Sequence, residues 1–171
     1  MAFGSSSAMF TEWPRSVMGH GQTAAVLPAG YAGLGADTIK AALFNNSVTP
    51  DKDAALTSTG YNSGTWTSGN AVNDSDGSDD WPAAGIALSS KVLSDQGSGV
   101  FRFDAADTTH SNTVTITNAF GCLVYDDTIT AGTGGCADQG ISYHSFGGAQ
   151  SVTTGTFTVV WHANGLFQVS V

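Results

Sequence analysis

The sequence predicts an all-β fold: an antiparallel β-sandwich of jelly-roll-like type carrying an extended N-terminal arm. Three observations point there. Charged residues make up only 11% of the chain and Glu occurs once, at Glu12, so the residues that build long helices are scarce. Apolar–polar alternation with a period of two recurs from Asp37 onward. Between the alternating runs lie stretches dominated by Gly, Ser, Thr, Asn and Asp, the residues of turns. A chain of 171 residues holds one well-buried core, so residues 37–171 read as a single β-sandwich domain and residues 1–36 as the arm.

The arm is assigned from its texture. It is rich in Gly, Ala and Ser, and no period of 2 or 3.6 persists through it. Pro14 and Pro28 break any long element. Single large residues are spaced along it: Phe3, Phe10, Trp13, Val17, Leu27 and Tyr31. Disordered tails are depleted in such aromatics, whereas an extended strap uses them as anchors in pockets of a neighbouring surface; a floppy tail and an extra edge strand are the alternatives. These six are therefore the candidate partner-binding residues.

The strands follow in order. Asp37–Phe44 (DTIKAALF) is the first, although its Ala pair also permits helix. Residues 81–93 (WPAAGIALSSKVL) open with Pro82, which suits a strand start. Residues 99–105 alternate Phe101 and Phe103 against Arg102, and residues 112–127 alternate before becoming almost continuously apolar through Tyr125. Residues 140–148 supply another strand, with turn-rich stretches at 45–80, 94–98, 104–111 and 126–139. Residues 156–171 (TFTVVWHANGLFQVSV) predict a closing hairpin. A three-residue Ala163-Asn164-Gly165 loop pairs Trp161 with Phe167, Val159 with Val169 and Phe157 with Val171, placing all six on one face.

Charge narrows the function. The net charge is −9, with thirteen Asp in residues 37–171 against Lys40, Lys52, Lys91 and Arg102. Such a domain lacks the basic footprint that nucleic acid requires and is repelled by anionic membranes. No apolar run approaches the roughly 18 residues of a membrane span. The N-terminus lacks the basic start and apolar centre of a signal peptide, so a cytoplasmic origin is expected.

The acidic stretch 73–81 (NDSDGSDDW) is the strongest candidate for chemistry. Placing Gly77 at position 6 of an EF-hand loop puts Asp74 and Asp76 correctly, but Val72 and Ala83 then fall at positions 1 and 12, so the loop fails at both ends. The reading taken is a solvated surface loop, with a looser Ca²⁺ site built from Asp74, Asp76, Asp79 or Asp80 as the alternative. Asp79-Asp80 and Asp126-Asp127 are sequence neighbours, which on a strand point to opposite faces, so neither makes a glycosidase acid/base pair. No Ser lies in a Gly-x-Ser-x-Gly elbow, and His20, His110, His144 and His162 have no metal-ligand spacing. Two cysteines, Cys122 and Cys136, are too few for structural zinc. They read as free thiols in a cytoplasm, with a disulfide open to them outside it. No catalytic residue, cofactor or firm metal site is expected.

Taken in order, DTIKAALF, WPAAGIALSSKVL, FDAADTTHSNTVTITNAFGCLVYDDT and GTFTVVWHANGLFQVSV resemble a family of small structural proteins carried in tailed-bacteriophage virion gene clusters. The family pattern runs from Asp-x-Ile-Lys-x-x-Leu through a Tyr-Pro-Ala-Gly-Gly-like turn to Leu-Val-Tyr-Asp-Asp-Thr and a final Phe-x-Val-x-Trp-x-x-x-Gly-x-Phe. The resemblance covers residues 37–171, and its most specific parts are LVYDDT and the closing segment. It implies a non-enzymatic virion component on the capsid surface. The head decoration (cement) type, which binds and stabilises the major capsid protein shell as a homotrimer, comes first. A tail- or fibre-associated module binding a host-surface glycan is the alternative, with Trp66 and Trp81 as stacking residues. The DSDGSD insert, the ITAGTGGCADQG loop and the long arm depart from the family pattern.

Overall fold

Strand β2 (Ile39–Phe44) organises the molecule because it is buried on both faces: every residue except Lys40 is fully enclosed. This is a computed structural model, and it describes residues 3, 6–17, 28–130 and 136–170. The Ala41-Ala42 pair, whose residues also permit helix, lies in this strand. Strand β4 (Ile86–Ala87) crosses so closely that a Cβ on the preceding Gly85 would lie 2.1 Å from the Ala41 carbonyl oxygen, and Gly85 itself has φ +77°.

One edge of β2 pairs antiparallel with β8 (Val114–Asp126), from Ile39 opposite Asp126 to Phe44 opposite Gly121. The other edge pairs with β4 and with β3 (Ala71–Val72). β8 then pairs with β9 (Gln139–Gly155), and β9 with a short N-terminal strand, β1 (Ala8–Met9). Register shifts along β8–β9, including a left-handed Asn118 (φ +57°), bend this long ribbon. Two smaller antiparallel sheets complete the fold. β5 (Val92–Gly97), β6 (Val100–Asp104) and β11 (Phe167–Ser170) form one, and β7 (Thr108–Thr109) pairs with β10 (Thr158–Val159) in the other. Phe103, Val159 and Ile116, one from each sheet, belong to a single buried cluster. The chain is all-β, antiparallel and sandwich-like, and the described residues add one short helix, α1 (Glu12–Val17), and two 3-10 turns at Leu56–Ser58 and Ser68–Asn70.

The closing hairpin does not form. Its turn is present: the Gly165 N–H donates to His162 O at 2.7 Å, and Gly165 has φ +80°. The next amide, Leu166 N–H, then donates to Phe103 O at 2.9 Å, and Phe167 pairs with Phe103 and Val169 with Phe101. Val159 pairs with Thr108 instead. The two arms of the turn diverge into different sheets, so Phe157, Val159, Trp161 and Leu166 are buried between layers rather than stacked on one hairpin face. Val171 lies outside the described residues.

Strands also run longer than expected. β5 continues through Ser94–Gly97, where a turn was expected, and β9 runs 17 residues to Gly155.

Candidate functional site

The expected partner-binding arm is folded onto its own domain. Met9 pairs with Ser142 and Ala8 with Tyr143, and the Phe10 N–H donates to Ile141 O at 2.9 Å. Phe10 is fully buried, and Phe3 and Trp13 nearly so. The receiving surface is prepared by glycines. A Cβ on Gly121 would lie 2.4 Å from the Phe3 ring, and one on Gly140 would lie 2.7 Å from the Phe10 ring. Both Phe3 and Phe10 meet Trp66 edge-to-face at 6.0 Å, and Trp13 packs on Phe167 at 5.9 Å. These three anchors do fill pockets, as scattered aromatics on a strap should, but the pockets belong to the same chain. They are core residues, which corrects their assignment as partner contacts. Tyr31 is half-buried against the core. Leu27, the Val17 side chain and His20 lie outside the described residues.

Within the acidic stretch the four aspartates separate. Asp74 is 3% exposed. Its Oδ1 accepts the N–H of Thr115 (2.8 Å) and of Asp76 (3.1 Å), and its Oδ2 accepts the Ser78 hydroxyl (2.8 Å). The Asp74 N–H in turn donates to Trp81 O at 2.8 Å. Burial opposes the charge of this carboxylate, yet the donors outweigh it and hold the group below the usual carboxylate range. Asp74 is therefore the internal clasp tying the loop to β8. Asp76 accepts the Ser78 N–H at 2.9 Å, as a turn residue does, and Asp79 is exposed with φ +57°. Asp80 Oδ1 lies 3.7 Å from His110 Nδ1. No cluster of three or more His, Cys, Asp or Glu side chains suited to a metal occurs among the described residues. The stretch is anchored at both ends and exposed between them.

Trp66 and Trp81, the residues named for stacking on sugars, are 1% and 0% exposed. Trp66 sits among Phe3, Phe10, Phe44 and Tyr143, and Trp81 meets Phe157 edge-to-face at 5.5 Å. Neither ring can reach a ligand, which removes the specific support for glycan stacking.

A contact that spacing did not reveal is Ser142 Oγ to His144 Nε2, 3.0 Å apart on one face of β9. Burial pushes the His144 imidazole down to about 4, which favours the neutral ring at physiological pH, and the tautomer of that ring sets which partner of the Ser142–His144 pair donates. Ser142 is 1% exposed, which withholds its hydroxyl from any substrate. Cys122 and Cys136 are buried free thiols; Cys136 Sγ donates to Leu56 O at 3.0 Å.

The outer surface carries another feature. The inner face of the three-stranded sheet starts in the core at Phe103 and Phe167, whose rings are 5.5 Å apart, then runs outward. Leu93, opposite Phe103, is 56% exposed, and Phe101, opposite Val169, is 38% exposed. Val92 on the same edge strand is also exposed, as is Val160 beyond β10. Comparison with known family models, curated proteins and solved structures returns no match.

Proposed function

We propose that this chain is a non-enzymatic structural protein of a tailed-bacteriophage virion, a head decoration protein that binds the major capsid shell. The observation that carries the reading is the ordered resemblance across residues 37–171, ending in LVYDDT and the Phe-x-Val-x-Trp segment. The physical form suits it. The acidic loop is braced from within, and apolar side chains emerge on the small sheet at Val92 and Leu93 of its edge strand β5 and at Phe101 of its central strand β6. Exposed apolar groups on a braced sheet are what a docking surface needs, and many weak contacts on a symmetric shell add through avidity. Since Phe3, Phe10 and Trp13 are spent inside the chain, the exposed end of the small sheet takes the docking role instead of the arm.

The test is co-sedimentation of the purified chain with capsid shells of the phage that encodes it, with analytical ultracentrifugation of the free chain for the trimer. A Leu93→Ser/Phe101→Ser variant with unchanged melting should lose shell binding at least tenfold. Full binding by that variant would move the interface elsewhere. No binding by the wild-type chain to head shells would reject the decoration role.

A further inference from the structure

Two carboxyl groups at the end of the main sheet are almost wholly withdrawn from water: Asp37 is 2% exposed and Asp126 0%. Asp126 ends β8 and Asp37 lies two residues before β2, which pairs with it: Ile39 lies opposite Asp126 and the Asp127 N–H donates to Thr38 O at 2.9 Å. The oxygens of Asp37 are already occupied by N–H donors, Ala32 on both (3.0 Å) and Gly33 on Oδ2 (3.0 Å). Asp126 Oδ1 accepts the Thr128 N–H at 3.0 Å and the Ile129 N–H also favours this carboxylate, but its Oδ2 is buried and makes no hydrogen bond of normal geometry. The Asp37 carboxyl lies within hydrogen-bonding reach of the Asp126 carboxyl. Two carboxylates cannot hydrogen bond to one another, so Oδ2 is orphaned only while both groups are ionised. One proton on Oδ2 supplies the missing bond.

We propose that Asp126 and Asp37 share a single proton, and that this carboxyl–carboxylate bond is a pH-sensitive latch holding segment 28–37 over the end of β8. The segment is built around that point. Thr130 N–H donates to Ala29 O at 2.8 Å, Thr38 N–H to Thr128 Oγ1 at 2.8 Å, and a Cβ on Gly30 would lie 2.2 Å from Thr128 O. The other titratable groups on these elements reinforce the arrangement. Tyr31, from the segment itself, is held above its ordinary range by burial and by both aspartates. The cations are engaged elsewhere: Lys91 Nζ donates to the Asp37 backbone oxygen at 2.6 Å, and Lys40 pairs with Asp127 at 2.8 Å. Asp138, at the foot of β9, adds another acid whose ionisation is disfavoured by burial and by Asp127. Burial, with Asp37 adding its like charge and hydrogen bond, pushes Asp126 up to about 7.

The sign follows from linkage. Between about pH 4, where a free aspartate titrates, and about pH 7, the folded chain holds a proton on Asp126 that the unfolded chain has lost. Stability should fall as pH rises through that window and level off above it, by up to tenfold in the folding constant per pH unit. The experiment measures urea unfolding of the full chain and of Asp126→Asn at intervals from pH 4 to 9, taking the ratio of folding constants so that other titrations cancel. The asparagine amide supplies a permanent donor to Asp37, so the ratio of wild type to variant should fall across the window. A ratio independent of pH would overturn the latch. Infrared spectra of the wild-type chain provide a readout that needs no variant. A protonated-carboxyl band at pH 6 that fades by pH 9 is expected, and its absence at pH 6 also overturns it. If Ca²⁺ or Mg²⁺ at pH 8 raised the melting temperature of wild type but not of Asp126→Asn, the pair would be a cation site and the shared proton would be rejected.

Discussion

Replacing Phe10 with alanine separates an arm that serves a partner from one that completes the core. Phe10 has no exposed surface, and its ring meets Trp66 at 6.0 Å and Tyr143 at 5.5 Å, both edge-to-face. Behind it stands Gly140, where even a methyl group would lie 2.7 Å from the ring, so the pocket is shaped to this side chain and little can collapse into the void. Truncating a buried phenylalanine costs about 3–5 kcal/mol when the surroundings relax poorly. Each lost edge-to-face contact, worth about 0.5–1.5 kcal/mol, favours the upper half of that range. For a chain of this size about 2–4 °C is lost per kcal/mol, so the melting temperature should drop by roughly 6–20 °C. Urea unfolding supplies the free energy and calorimetry the temperature. Phe101→Ala, on the partly exposed end of the small sheet, is the control and should cost no more than about 1 kcal/mol. A loss below about 1 kcal/mol for Phe10→Ala would refute the reasoning and restore the arm as a separable strap. A chain lacking residues 1–36 that melts like the full one would do the same.

Asp74→Asn should lower the melting temperature at pH 7, because an amide cannot accept all three donors that clasp the loop. The Asp74 carboxyl is held below its ordinary range, so its stabilisation is complete above about pH 4 and is lost as pH falls through the folded-state value. Melting curves of wild type and variant should therefore converge in acid, and a constant gap down to pH 2.5 would contradict the clasp. Gly85→Ala places a methyl group 2.1 Å from Ala41 O at φ +77°. It should cost about 1–2 kcal/mol in backbone strain and a further 1–3 kcal/mol in displaced packing, read from the urea midpoint. The thiols of Cys122 and Cys136 are both raised by burial and should resist a thiol reagent until the chain unfolds, so stoichiometric labelling of the native protein would contradict their placement.

Sequence reasoning reached furthest where the signal is local. Alternation located β2, β6 and most of β8, because a strand buried on one or both faces must show its period in the residues themselves. Gly165 does take the left-handed turn conformation that its place in the sequence suggests, with φ +80°. Partner choice was beyond reach. A face of Phe157, Val159, Trp161, Phe167 and Val169 satisfies a local hairpin as well as two separate sheets, and only the long-range competitors Thr108 and Phe103 decide. The role of Asp74 was hidden for the same reason, since its principal donor, Thr115, stands 41 residues away.

The arm shows the same limit in its most consequential form. Aromatics on a flexible backbone announce anchors, but they do not say whose surface receives them. The complement to Phe3 and Phe10 was present as Gly121 and Gly140, two glycines within strands, where glycine otherwise weakens the sheet. At Gly121 a Cβ would meet the Phe3 ring at 2.4 Å and His144 O at 2.5 Å. At Gly140 it would meet Thr59 O at 2.2 Å before the Phe10 ring at 2.7 Å, so both glycines accommodate the folded arm together with the neighbouring backbone. If the anchors are permanent, they cannot also be the adjustable part of an assembly. An assembly protein that keeps its arm must then dock through what the fold leaves uncovered. Here that is the outer end of the β5–β6–β11 sheet, where Leu93 and Phe101 continue the core's apolar face beyond the core. The two variant classes therefore have opposite expected signatures. Phe10→Ala should lower stability, and under the proposed decoration role it should weaken shell binding only through unfolding, whereas Leu93→Ser/Phe101→Ser should leave stability nearly intact and weaken that proposed binding directly.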